Sequence, residues 1–356
     1  MKYGVAGKGL GAEQRSYLDK KLLENIVDNT MWDKFATITK QLPLGNTQTV
    51  EFNKKVRSVD LYFANNLNAQ FTDGVIDVAG NNTRETLQLL PENAYQDFIL
   101  AEGSSGESKA KIKWIRSSAN VFVIGDWMPY SEEMKLFHNL WDVAESAKDM
   151  GEMAGEIVDA FYRDLYKNGA GHVADMSAVD VSDSQFTEAV RKIVVKLRLS
   201  GAKPTRSVLS NSVSYGTVPV RARYFMIVHT IVGEALQSNP KFVPIEKYTT
   251  KHAEIGGAEE VGILGECVVF VNHNAPLKAT PTAGEYLADV IIFGQDHSAQ
   301  VPVRGKTGAE FIYKGLGDGG SKDALNRAGT VGWKSWLGAK VLYPERLAKI
   351  TVKVQY

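Results

Sequence analysis

Apolar residues alternate with polar or small ones in two runs near the end of the chain. Val331, Trp333, Ser335, Leu337, Ala339 and Val341 share one parity, and Gly332, Lys334, Trp336, Gly338 and Lys340 take the other. A period of two predicts a strand with two unlike faces over 331–341. Pro344 ends it, because proline has no N–H to give a ladder. Ile350, Val352, Val354 and Tyr356 then alternate with Lys349, Thr351, Lys353 and Gln355, a second strand that ties down the C-terminus. Nearer the start, Gln48, Val50 and Phe52 oppose Thr47, Thr49, Glu51 and Asn53, followed by Lys54, Lys55 and Arg57. Ala110, Ile112 and Trp114 oppose Lys109, Lys111 and Lys113. Two basic, half-apolar strands of this kind predict a long paired hairpin. Apolar runs at 223–229, 262–272 and 287–293 predict buried strands, and 310–313 also reads as strand.

A longer period marks the helices. Leu140, Ala147, Ala154 and Phe161 recur every seven residues, with Val143, Met150, Ile157 and Leu165 filling the steps between. This continuous stripe predicts a helix from Asn139 to Lys167, roughly 40 Å long at 1.5 Å per residue. Asp142, Glu145, Asp149, Glu152 and Glu156 load its early turns while Arg163 and Lys167 lie near its end, as the helix dipole favours. Asn168-Gly169 then stops it. Phe186, Val190, Ile193, Val194 and Leu197 predict a second amphipathic helix over Ser184–Leu199. A third begins at Ser16, with Leu18, Leu22, Leu23, Ile26 and Val27 on one stripe. Residues 1–15 hold four glycines and no periodicity, which predicts a flexible opening. The mixture of helices and strands is α+β, without internal repeat.

Composition narrows the function. At 356 residues the chain can bury a sizeable core. Its 41 basic and 41 acidic residues cancel, which argues against a dedicated nucleic-acid binder. The charges are not evenly spread: Asp60 to Glu102 contains seven acidic residues and one basic, Arg84, and reads as a surface insertion at about 58–101. The single cysteine, Cys267, excludes an intrachain disulfide and a cysteine-based zinc site, and its apolar run predicts a buried small hydrophobe. No apolar run has the length of a membrane span. The opening MKYGVAGKGLGAEQ has no apolar h-region, so the expectation is a soluble protein made in a reducing cytoplasm.

Candidate chemistry is sparse. Gly305-Lys306-Thr307 hints at a phosphate loop, but the earlier glycine that such a loop needs is Gln300, and strand rather than helix follows. Gly4, Gly7, Gly9 and Gly11 have no strand before them, and Gly315 to Gly320 reads as a turn. No two of the six histidines, at 138, 172, 229, 252, 273 and 297, have metal-ligand spacing on one helix; His252 and Glu254 read as a solvated loop. Gln295-Asp296-His297-Ser298 gathers catalytic residue types, yet a triad needs separate elements to converge. An enzyme reading would rest on Asp296 and His297. Otherwise the chain predicts no catalytic, cofactor or metal site, and its tryptophans read as core or interface packing.

Three stretches carry a resemblance. Asn326-Arg327-Ala328-Gly329-Thr330-Val331-Gly332-Trp333-Lys334, followed by Pro344-Glu345-Arg346-Leu347, resembles the C-terminal signature of tailed-phage major capsid proteins typified by the podovirus N-four capsid protein. Trp32-Asp33-Lys34-Phe35-Ala36, Leu42-Pro43-Leu44-Gly45-Asn46-Thr47 and Val50-Glu51-Phe52 are similar to that group's arm and first strand. Ala101-Glu102-Gly103 and the strand Asn120–Trp127, running into the long helix, make the third. The resemblance implies the Hong Kong 97-like capsid fold. Its parts would be an N-terminal arm (1–45), an extended loop (46–127) with the acidic insertion, a spine helix and peripheral domain (128–180), an axial α+β domain (181–305) and C-terminal peripheral strands (306–356). Arm and loop would each cover a neighbouring subunit, which makes Leu22, Trp32, Phe35, Phe52, Lys54, Arg57, Trp114 and Arg116 the candidate subunit-interface residues. Read without the resemblance, the arm is an ordinary amphipathic helix on its own core. The implied function is a shell of hexamers and pentamers around phage double-stranded DNA, assembled in the host cytoplasm and carried in the virion. Portal, scaffolding and decoration proteins are the implied partners. An encapsulin-type compartment is the alternative, and an α+β enzyme a more distant one. The type capsid's lysine–asparagine cross-link cannot be assigned to residues here.

Overall fold

The computed structural model describes residues 17–18, 20, 22, 30–42, 48–55, 70–72, 75–77, 99, 114–137, 143–204, 223–247, 260–303, 309–316, 318 and 325–355. The glycine-rich opening, most of the acidic insertion, Lys109–Lys113, His252, Glu254 and Gly305-Lys306-Thr307 lie outside them. In chain order the strands are β1 (Ile38–Thr39), β2 (Thr49–Lys55), β3 (Gln70–Thr72), β4 (Val75–Asp77), β5 (Trp114–Asn120), β6 (Phe122–Ser131), β7 (His172–Asp180), β8 (Tyr224–His229) and β9 (Phe242–Pro244). They continue as β10 (Glu260–Leu264), β11 (Cys267–Asn272), β12 (Leu277–Ala279), β13 (Glu285–Phe293), β14 (Ser298–Gln300), β15 (Ala309–Lys314), β16 (Ala328–Leu337), β17 (Ala339–Val341) and β18 (Leu347–Gln355). The helices are α1 (Glu132–Phe137), α2 (Val143–Gly169), α3 (Ser184–Leu199) and α4 (Thr230–Leu236). The chain divides into two compact units, the first being Met1–Val50, Ala119–Leu165 and Ser298–Lys340, the second Glu51–Ser118, Tyr166–His297 and Val341–Tyr356.

The first unit is built on an antiparallel sheet in the order β15-β16-β6. The inward parity of β16 places Trp333 against Met150 and Ala154 of α2, and Leu22 joins this cluster. The predicted strand 331–341 is broken at Gly338. A side chain there would run into Val121 at 2.7 Å, and the residues beyond it form β17, in a separate sheet ordered β1-β14-β17. The buried carboxylate of Asp159 on α2 accepts from the N–H groups of Met31 (2.9 Å) and Trp32 (2.8 Å), pinning the segment that precedes β1.

Helix α2 is real, but its buried stripe turns away from the heptad track. Ala147, Met150, Ala154, Asp159, Tyr162 and Tyr166 are buried, whereas Ile157 is 41% exposed. The cause is geometric: a strict seven-residue repeat drifts about 20° per heptad around a straight helix. By Phe161 the apolar track has left the core side, and two tyrosines and an aspartate take its place.

The second unit is an eight-stranded mixed sheet ordered β7-β18-β13-β8-β11-β10-β9, with β12 on β13. Helices α3 and α4 cover one face. Phe186, Val190, Ile193 and Leu197 of α3 and Val232 and Leu236 of α4 share a core with Met226, Val269, Val290, Ile292, Ile350 and Val352. Each such side chain contributes about 1.5–3 kcal/mol on leaving water. Asp183 caps α3 by accepting from the Gln185 N–H at 3.1 Å. The apolar run predicted as one strand, 262–272, is a hairpin: Leu264 pairs with Cys267 around Gly265, whose φ of 63° suits glycine. The predicted C-terminal strand is present as β18. It lies inside this sheet, between β13 and β7, and not with the strands of 309–337. Period-two alternation names the face a residue occupies but not the sheet its strand joins. Strand β7 was not foreseen, because its exposed edge shows no apolar run.

Candidate functional site

The sequence's chemical candidates do not converge. His297 is fully buried; one ring nitrogen, Nδ1, lies 3.1 Å from the Gly294 carbonyl, and burial holds its pKa down at about 4. Its neighbour Asp296 turns to Arg346 at 3.9 Å. Cys267 is buried in β11, where burial pushes its thiol up to about 12, so it stays protonated and unreactive. The Gly315 N–H donates to Asp318 at 2.9 Å, a local turn. Among the described residues no cluster of three metal-ligating side chains exists, and no helix is long and apolar enough to cross a membrane.

The eight expected interface residues divide. Leu22 and Trp32 are buried in the first unit, and Phe52 and Lys54 in the second. Within the single chain its own residues cover these four. In β2 the parity of Val50, Phe52 and Lys54 faces inward while Glu51 and Asn53 are exposed. Lys54 can follow its apolar neighbours inside because Glu345 meets its ammonium with both oxygens, at 2.9 and 3.1 Å. Tyr343 presents its ring to the same ammonium at 4.7 Å. Phe35 is half-buried. Arg57 lies outside the described residues. Trp114, 57% exposed, and Arg116 remain at the surface of β5, where Arg116 reaches Glu51 of the paired strand β2 at 3.9 Å.

Other exposed apolar residues stand outside the eight expected interface positions. Trp127 is 63% exposed on β6, and Leu136 and Phe137 (81% exposed) end α1. Beside Trp127 an open trough of about 620 Å³ runs across the β6-β16-β15 sheet, lined by Val123, Gly125, Ile312, Lys314, Gly332 and Lys334. Gly125 and Gly332 let β6 and β16 approach closely: a side chain on Gly125 would meet the Trp333 carbonyl at 2.4 Å, and one on Gly332 the Asp126 carbonyl at 2.8 Å. Contiguous apolar patches, rather than single exposed residues, mark surfaces that meet other molecules. The available signal was the parity of β6: Val123, Gly125 and Trp127 fall on the side opposite Ile124 and Met128, which pack against the α2 cluster.

No family model matches the chain, and no curated protein matches it. Solved structures do. The capsid of Ralstonia phage GP4 superposes with a TM-score of 0.57 at 12% identity, covering 91% of each chain. The capsid of cyanophage P-SCSP1u gives 0.56 at 11% identity, covering 98% of this chain and 92% of that one. The mature capsid of bacteriophage PhiM1 gives 0.53 at 9% identity, covering 99% and 91%. These likenesses define the class: the chain has the α+β Hong Kong 97-like capsid fold, with α2 as its long helix.

Proposed function

We propose that this chain is the major capsid protein of a tailed phage, of the podovirus N-four type, and that it assembles into hexamers and pentamers around double-stranded DNA. One observation carries the reading: the fold likeness to phage head proteins runs nearly end to end in both chains. Shell subunits are expected to expose apolar residues on several elements, as Trp114, Trp127 and Phe137 do. The finer assignment is supported by the 326–334 motif, which leads into β16, and the 344–347 motif, a 3-10 turn that leads into β18. Assembly supplies the mechanism: contacts are geometric, repeated and shared, so no catalytic group is required. The axial role belongs to the α3 and α4 unit, and the arm and the β2-β5 pair cover neighbours. Virion, portal, scaffolding and decoration proteins complete the setting.

Sedimentation of the expressed chain through a sucrose gradient tests this. Fast-sedimenting particles made of this chain, empty or holding nuclease-protected DNA, are the expected result. Particles packed with a folded cargo enzyme would favour an encapsulin-type compartment. A slow-sedimenting monomer, with and without co-expressed scaffolding protein, would overturn the proposal.

A further inference from the structure

The loop after β13 and the segment before β18 are laced together at one residue. The His297 carbonyl accepts from the N–H groups of Leu342 (2.9 Å) and Tyr343 (3.1 Å), and the Gly294 N–H donates to the Arg346 carbonyl at 3.0 Å. The His297 ring sits between aromatic neighbours, 4.9 Å from Tyr166 of α2 and 4.7 Å from Phe293 of β13. With Nδ1 turned to the Gly294 carbonyl at 3.1 Å, Nε2 is buried with no hydrogen-bond partner.

We infer that His297 is an acid-operated latch: protonation of its buried imidazole releases the 342–346 segment and the Tyr166 end of α2 from the loop after β13. The neutral ring satisfies Nδ1 and leaves only an unused lone pair on Nε2. The protonated ring has a second N–H and a full charge, and both lack an answer. Charged and titratable groups close to it include Tyr166 on α2, Asp296 on its own loop, and Tyr343 and Arg346 on the 342–346 segment. The same segment carries Glu345, whose carboxylate is paired with Lys54 at 2.9 Å and whose carbonyl lies 3.1 Å from His172 Nε2. Arg346 opposes a second positive charge. Asp296 is turned toward Arg346 at 3.9 Å.

The sign follows from linkage. Burial, then the Arg346 charge, holds the folded pKa below its ordinary 6.5, at about 4, against the Gly294 hydrogen bond, which raises it. The unfolded or opened loop therefore binds the proton more readily, so closure is complete above about pH 6.5 and weakens as pH falls toward 4. A separation of this size corresponds to roughly a 300-fold change in the closing equilibrium.

Hydrogen exchange of the full chain, corrected for intrinsic rates, tests it at pH 7.5, 6, 5 and 4.5. Amides of Leu342 and Tyr343 are expected to lose tenfold or more protection across this range, while those of β8 and β11 hold theirs. His297→Phe, which keeps the ring cage but cannot take a proton, is expected to abolish the pH dependence. Wild-type protection constant over the range, or an unchanged profile in His297→Phe, would overturn the latch. Should that variant fail to fold, ring-labelled histidine NMR of the wild type decides. A His297 signal neutral down to about pH 5 and lost together with amide protection supports the latch. Titration near 6.5 with protection intact refutes it.

Discussion

Lys54 and Glu345 bury an ammonium and a carboxylate together, with 8% and 6% of their side chains exposed. Removing one partner leaves the other charged and dry. Lys54→Met is therefore expected to cost about 3–5 kcal/mol in denaturant unfolding. The double variant Lys54→Met/Glu345→Leu should recover most of that; a double variant whose loss is the sum of the two single losses would show that the two charges are not coupled. Asp159→Ala removes the acceptor of two backbone N–H groups and is expected to cost about 3 kcal/mol, with Asp159→Asn milder because it keeps a carbonyl. Neither role was legible locally. The alternation at 47–58 marks Phe52 as half of a strand's apolar face, but the acid that lets Lys54 follow it inward lies 291 residues on. Asp159 looks like a solvated helix charge until the chain before β1 is folded against it.

Strand and helix periods carried most of the elements. α2, α3, β8, β13 and β18 stand where the sequence puts them, because each has one apolar face against a core. What periodicity leaves open is phase over distance and pairing. On the heptad track Ile157 is core, and in the structure it is a surface position. Ile157→Gln should change the unfolding free energy of the unassembled subunit by no more than about 0.5 kcal/mol. A loss of 2 kcal/mol or more would restore the heptad face. The β6-β16 pair makes the opposite kind of prediction. Gly332→Val places its side chain against the Asp126 carbonyl and Trp127, so the sheet must shift and the subunit should lose about 1–3 kcal/mol, read by thermal unfolding. β7 and the break at Gly338 were illegible, since the first buries little and the second depends on Val121, more than two hundred residues earlier.

Taken whole, the chain balances its charge, covers two separate cores and leaves Trp114, Trp127, Leu136 and Phe137 in water. On the proposed capsid reading copies of the chain cover that surface, so the melting temperature should rise with protein concentration. The order of the motifs along the sequence was enough to indicate the fold. The placement of β18 beside β13 was not, because only long-range pairing fixes it. Of the expected interface positions Trp114 and Arg116 are exposed, and Trp127, Leu136 and Phe137 add exposed apolar surface on β6 and α1. Negative-stain electron microscopy of the purified chain, with mass photometry on the same sample, shows whether the subunit assembles. Rings, tubes or closed shells of uniform diameter are expected. A monodisperse monomer or dimer at every concentration and salt, with scaffolding protein present, would contradict the proposed assembly.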